Sequence, residues 1–159
     1  MQTIAAPFSE TFDRAELGPD WLDTGNTARI KDGKLNLVNA HNHPVWLRRK
    51  LPRNVQIDFD AVSRSPAGDL KIELFGDGES FDPDKGRYDP TSYMIVMGGW
   101  HNSKSIISRL GEHDEAVKAA RDRNGPEPLF GTGHEFFAIN DWEADVSFDN
   151  LTIRPLDQP

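Results

Sequence analysis

Apolar residues recur at every second position through most of the chain, and this period-two pattern predicts strands with very little helix. Leu35 and Leu37 alternate with polar neighbours after the turn signal Asp32-Gly33. Val45 and Leu47 point one way while Trp46 and Arg48 point the other. Val55, Ile57, Phe59 and Ala61 are set against Gln56, Asp58 and Asp60, and Leu70, Ile72 and Leu74 against Lys71 and Glu73. Such alternation predicts strands with one buried and one wet face. The run Tyr93 to Met97 is apolar at both parities and predicts a central strand covered on both sides. Ser105 to Leu110, Glu135 to Asn140 and Ala144 to Ile153 complete a set of about nine or ten strands. The expected fold is an all-β, antiparallel two-sheet β-sandwich, a single domain over residues 1–159 with its core in 8–156.

Two segments interrupt the alternation. Gly76 to Thr91 is rich in Gly, Pro and Asp and too long for a tight hairpin, which predicts an exposed loop. Glu112 to Arg123 is made of helix-favouring residues and stops at Asn124-Gly125-Pro126, so it reads as one short helix or a frayed loop.

Composition narrows the partners. The chain has 159 residues, with 18 Lys and Arg against 26 Asp and Glu, a net charge of −8. That charge repels phosphate backbones and anionic lipid headgroups, so neither nucleic acid nor a membrane is an expected partner. No cysteine is present, which removes disulfides, thiolate nucleophiles and Cys-type zinc sites. Met1 to Phe8 lacks the basic start and long apolar stretch of a signal peptide, and no apolar run is long enough to cross a bilayer. The default location is cytoplasmic, with secretion left open.

Three stretches carry a family resemblance. Phe8 to Trp21 (FSETFDRAELGPDW) is similar to an "F-x-E-x-F-D … L-x-x-x-W" opening, Ile30 to Leu37 (IKDGKLNL) to a "D-G-x-L" hairpin, and Ala144 to Leu156 (ADVSFDNLTIRPL) to a closing strand with an Asp before alternating apolar residues. In this order and placement they resemble the concanavalin A-like lectin and glucanase superfamily, in particular its small bacterial jelly-roll domains. The resemblance implies that the first and last strands lie side by side. It also implies a further hairpin before the last strands, yet only Asp114 to Phe130, without β-alternation, occupies that interval. Either the sandwich is two strands shorter there, or residues are missing between Arg123 and Pro126.

Glucanases of that superfamily use two Glu on one strand, spaced Glu-x-Asp-x-Glu or one residue longer, because a retaining mechanism needs carboxyls about 5 Å apart. The spacing is absent here: Glu143-Ala144-Asp145 with Asp149, and Asp58 with Asp60, do not reproduce it. Phosphate-loop, nucleophile-elbow and His-Glu-x-x-His motifs are also absent. His41 and His43 suit a metal only if a third ligand converges. Members of the superfamily often hold a structural Ca2+ near the final strand, which makes Asp149 the candidate metal ligand. Asp149 shares parity with Leu151 and Ile153, so its carboxylate is expected to point inward and to need compensation. The acidic residues Asp77, Glu79, Asp82, Asp84 and Asp89 offer a second calcium candidate or a solvated loop.

The remaining constellation is aromatic and amide. Trp46 lies opposite Val45 and Leu47, Gly98 to Ser103 (GGWHNS) places Trp100, His101 and Asn102 at a strand end, and Asn140 to Glu143 (NDWE) places Trp142 beside Asn140 and Asp141. A pyranose shows C–H groups on one face and hydroxyls around its rim, so indole faces flanked by amides and carboxylates suit it. The expected function is a non-catalytic, lectin-like carbohydrate-binding module. It uses Trp46, Trp100 and Trp142 as platforms and His101, Asn102, Asn140 and Asp141 as polar contacts. The alternatives are a protein-interaction or assembly scaffold on the same sandwich, and a divergent glycoside hydrolase drawing on Glu73, Glu143 or Asp145.

Overall fold

The structure is a computed structural model that describes residues 1–79, 81, 91–109, 130–131 and 133–156. Two antiparallel sheets pack face to face. The first contains β1 (Phe8–Glu10), β3 (Ala28–Lys31), β4 (Lys34–Val38), β6 (Val55–Ser63) and β11 (Asp145–Pro155). The second runs in the order β2 (Trp21–Asp23), β5 (Val45–Leu47), β10 (Phe136–Asn140), β7 (Leu70–Gly76), β8 (Tyr93–Gly98) and β9 (Lys104–Arg109). One short turn, α1 (Gly99–Asn102), joins β8 to β9. The all-β sandwich expected from the alternation is therefore what forms, while the segment Glu112 to Arg123 and the hairpin question near Asn124 lie outside the described residues.

β11 organises the first sheet. Its first half pairs with β4 and its second half with β1, while β6 runs along its other edge. The first and last strands are thus neighbours, with Phe8 opposite Ile153 and Glu10 opposite Leu151. Between the sheets, Phe12, Leu35, Leu37, Val45, Leu47, Phe137, Ile139, Val146, Phe148, Leu151 and Ile153 form one core from which water is excluded. β6 keeps the predicted alternation: Ile57, Phe59 and Ala61 pack against the core, and Gln56, Asp58 and Asp60 are exposed. Asp32 and Gly33 both take positive φ, 54° and 66°, the handedness of a two-residue hairpin turn between β3 and β4.

The opening motif has a structural reason. Glu10 is buried and accepts the Phe12 amide at 2.8 Å, Trp21 Nε1 at 3.2 Å and a two-point Arg14 guanidinium at 2.7 Å on each oxygen. These bonds hold Phe12 at φ 54° and seat its ring 5.6 Å from Trp21 in the core. Burial by itself would raise the Glu10 carboxyl, but the bonds from Arg14, the Phe12 amide and Trp21 more than reverse it, and the group titrates below its ordinary value.

Two expectations are corrected by the packing. Lys71 and Glu73, expected on a wet face, are 2 % and 0 % exposed, and Trp46 is 1 % exposed. For Glu73 and Trp46 the strand registers explain why. Leu22, Trp46, Ala138, Glu73, Met94 and Ser108 are successive partners across six strands and form one row on the outer face of the second sheet. Trp46, Ala138, Glu73, Met94 and Ser108 in that row are all buried. Trp46 belongs to a second apolar cluster with Phe136 and Ala138, so it offers no open platform.

Asp149 also differs from expectation. The β11–β6 register shifts between Asp149 and Thr152, and Asn150 sits there at φ 50°. One extra residue in a strand reverses which side chains share a face. Phe148 and Leu151 therefore both point inward, and Asp149 points outward, where Lys34 Nζ meets it at 2.5 Å. The hydrogen bond from Lys34 holds the Asp149 carboxyl below its usual range.

Candidate functional site

A cleft of about 570 Å3 opens at one end of the outer face of the second sheet. Its lining comes from four connections: Asn42 from β4–β5, Ala67 and Asp69 from β6–β7, Trp100 and His101 from β8–β9, and Trp142 and Glu143 from β10–β11. Lys71 of β7 completes it.

Lys71 Nζ donates to Asn42 Oδ1 at 2.8 Å and stands 3.4 Å from Asp69 Oδ2. The same Asp69 oxygen accepts the Trp142 amide at 2.6 Å, so the floor is tied to the wall that carries Trp142. Further along the face, Asn140 Nδ2 donates to Glu73 Oε1 at 3.0 Å and Ser92 Oγ to Glu73 Oε2 at 2.5 Å. A buried Lys and a buried Glu two residues apart on one strand are thus each matched by polar partners, as burial of charge requires.

The rim backbone is unusual. Asn39, His41, Asn42, Asp69, Trp100, His101 and Asn102 all have positive φ without being glycine. His41, Trp100 and His101 lack the short polar side chain that eases this conformation in Asn and Asp, so each of these three costs of order 1 kcal/mol, and residues held this way concentrate at binding and catalytic sites. In α1, Trp100 (φ 50°, ψ 60°) and His101 (φ 58°, ψ 46°) take left-handed dihedrals, which turns both side chains to line the cleft. Gly98 and Gly68 make this turn possible: a Cβ on Gly68 would lie 2.3 Å from the Gly98 carbonyl oxygen.

Trp142 is 45 % exposed, and its ring meets His41 edge-on at a centroid distance of 5.0 Å. Lys104 Nζ stands 6.0 Å from the Trp100 ring centroid. Of the residues singled out from sequence, the fold brings Trp100, His101 and Trp142 together at this cleft. Asn102 is exposed on α1, with its side chain against Gly68 and Gly98. Asn140 and Asp141 are fully buried behind the lining, and Trp46 and Asp149 lie elsewhere.

Asp141 accepts the amides of Ala40 and Ala144, each at 3.0 Å. Burial is the main influence on its carboxyl and pushes it up to about 6; those two bonds oppose the shift, Asp69 adds to it and Lys71 lowers it.

Asn42, Ala67, Asp69 and Lys71 were not singled out from sequence. Period-two patterning marks Lys71 as sharing a face but does not tell whether that face is covered. The signal for Asp69 was the Gly68-Asp69 pair at a strand start, facing Gly98-Gly99 at a strand end. Among the described residues, no three His, Asp or Glu side chains converge as a metal shell. None of their helices is long and apolar enough to cross a membrane.

Neither a family model nor a curated protein matches the chain. By structure it is similar to a crystal structure from Parabacteroides distasonis, provisionally described as a glycosyl hydrolase, with 15 % identity and a TM-score of 0.46 over 87 % of this chain and 89 % of that one.

Proposed function

We propose that the chain is a non-catalytic, lectin-like module of the concanavalin A-like kind, and that a sugar sits in the cleft lined by Trp100 and Trp142. The observation that carries this reading is one concave site combining two indoles with an amide, an ammonium and two carboxylates: Asn42, Lys71, Asp69 and Glu143. Indole faces cover the C–H side of a pyranose, and hydroxyls exchange bonds with the amide and charged groups. Asn140 and Asp141 support the site from beneath and Trp46 takes no part.

The test is calorimetric titration against a panel of neutral oligosaccharides, followed by Trp100→Ala and Trp142→Ala. Losing one stacking platform costs about 1–2 kcal/mol, about 5- to 30-fold in Kd. A panel without heat change, or tryptophan variants that bind as well as the parent, removes the proposal.

One observation favours a second reading, a divergent glycoside hydrolase: Asp69 and Glu143 both line the cleft, as a pair of catalytic carboxyls would. Asp145 is instead engaged by the Arg64 guanidinium. Reducing-sugar release that disappears in Glu143→Gln, while binding persists, would establish that reading over the first.

A further inference from the structure

The cleft wall bearing Asn42 and Trp142 consists of two turns, residues 39–42 and 141–144, that are bonded directly to each other. The Asn39 amide donates to the Ala144 carbonyl at 2.9 Å, the His41 amide to the Trp142 carbonyl at 2.9 Å, and the Asn42 amide to the Asp141 carbonyl at 2.8 Å. Between them lies the Asp141 side chain, fully buried, with Oδ1 on the Ala40 amide and Oδ2 on the Ala144 amide, 3.0 Å each. Its own amide donates to Asn140 Oδ1 at 2.8 Å. One carboxylate thereby fastens both turns at their centre.

We infer that Asp141 is a pH-sensitive positioning residue: its ionised carboxylate clamps the two turns, and adding a proton weakens its hold on one of them and loosens the wall that carries Asn42 and Trp142. A carboxylate has two strongly accepting oxygens, whereas a carboxylic acid turns one of them into a hydroxyl, which loses its negative charge and accepts an N–H more weakly. The bond to one of the two amides is thereby weakened. The raised carboxyl, at about 6, places this change within a readily reached range.

Other groups near Asp141 bear charge. Asp69 and Lys71 act on it from the β6–β7 side with opposite sign. Glu73 of β7 is connected through Asn140, and His41, His43 and Glu143 belong to the connections that it joins. His101 lines the cleft beside Trp142. The histidines need their own controls, because imidazole is the side chain whose charge ordinarily changes between pH 5 and 8. The inference depends on the carbohydrate reading only for the identity of the ligand.

The experiment is a pH titration of the full, unliganded protein from 8 to 4.5 by 1H–15N NMR, following the Ala40 and Ala144 amides and the Trp142 indole. These three signals should shift together with one midpoint near 6. The shift should persist in His41→Ala, His43→Ala and His101→Ala, and vanish in Asp141→Asn. Flat Ala40 and Ala144 amides in the wild type, which needs no variant to fold, overturn the inference; so does a shift that disappears with a histidine. Sugar affinity measured at pH 7.5 and 5 should fall several-fold at the lower pH in the parent. If the amides titrate but no sugar binds at either pH, the clamp stands and the carbohydrate reading fails.

Discussion

Glu10 offers the sharpest test of how the first strand is held. In Glu10→Ala, the Phe12 amide and Trp21 Nε1 both lose their acceptor in a buried setting. An unsatisfied buried donor costs about 1–3 kcal/mol, so the two together cost about 2–6 kcal/mol. Losing the Arg14 pair, whose guanidinium is partly exposed, adds less than about 1 kcal/mol. Against a domain stability of about 5–15 kcal/mol, the variant should be severely weakened. Glu10→Gln keeps one accepting oxygen and the shape, and should lose about half as much. Urea unfolding followed by tryptophan fluorescence gives both numbers, with the slope unchanged if both variants unfold from the same native state. The linkage adds a signature. The folded carboxyl lies below its ordinary 4.5, so its contribution is complete above that value and is lost as pH falls through the folded value. Parent and Glu10→Gln should therefore converge in stability as pH drops from 7 toward 3. A Glu10→Ala variant within about 0.5 kcal/mol of the parent refutes this account of the motif.

Other outcomes follow from the packing. Gly76→Ala places a methyl 2.3 Å from Trp46 Cη2 in a closed cluster and should cost about 1–3 kcal/mol in thermal or urea unfolding. Asp141 titrates above its unfolded 3.8, so the native state binds the extra proton. That contribution makes the fold more stable as pH falls through about 6, by up to about 3 kcal/mol near pH 4. The stability difference between parent and Asp141→Asn should shift by that much between pH 8 and 4, and a constant difference is the contrary result. Because Lys34 already neutralises Asp149, millimolar Ca2+ should raise the Tm of Lys34→Ala more than that of the parent. An equal rise in Asp149→Ala shows that the ion sits elsewhere.

Much of the fold could be read from period-two alternation, and β6 shows why: one face packs on the core and the other meets water, so every side chain reports its side. The same rule fails on β7. Lys71 and Glu73 alternate as exposed residues do, yet both are buried, because alternation records which residues share a face and not what covers it. Parity also misled at Asp149, where the irregularity at Asn150 shifts the count by one. The candidate site was half legible. Trp100, His101 and Trp142 announced themselves as aromatics among amides at strand ends. Asn42, Asp69 and Lys71 meet them only through the order of strands in the second sheet, which no local pattern encodes.

β11 pairs with the first strand of the chain, and that has a consequence for biosynthesis. Phe8 emerges from the ribosome about 145 residues before its partner Ile153. At typical elongation rates of about 5–20 residues per second, β1 waits roughly 7–30 seconds with its hydrogen-bonding edge open. Glu10, Phe12 and Trp21 can assemble their local knot during that interval, but the sheet beside it cannot close until the last strand arrives. A nascent chain stalled before residue 150 should accordingly be digested by protease, and one released beyond 156 should resist.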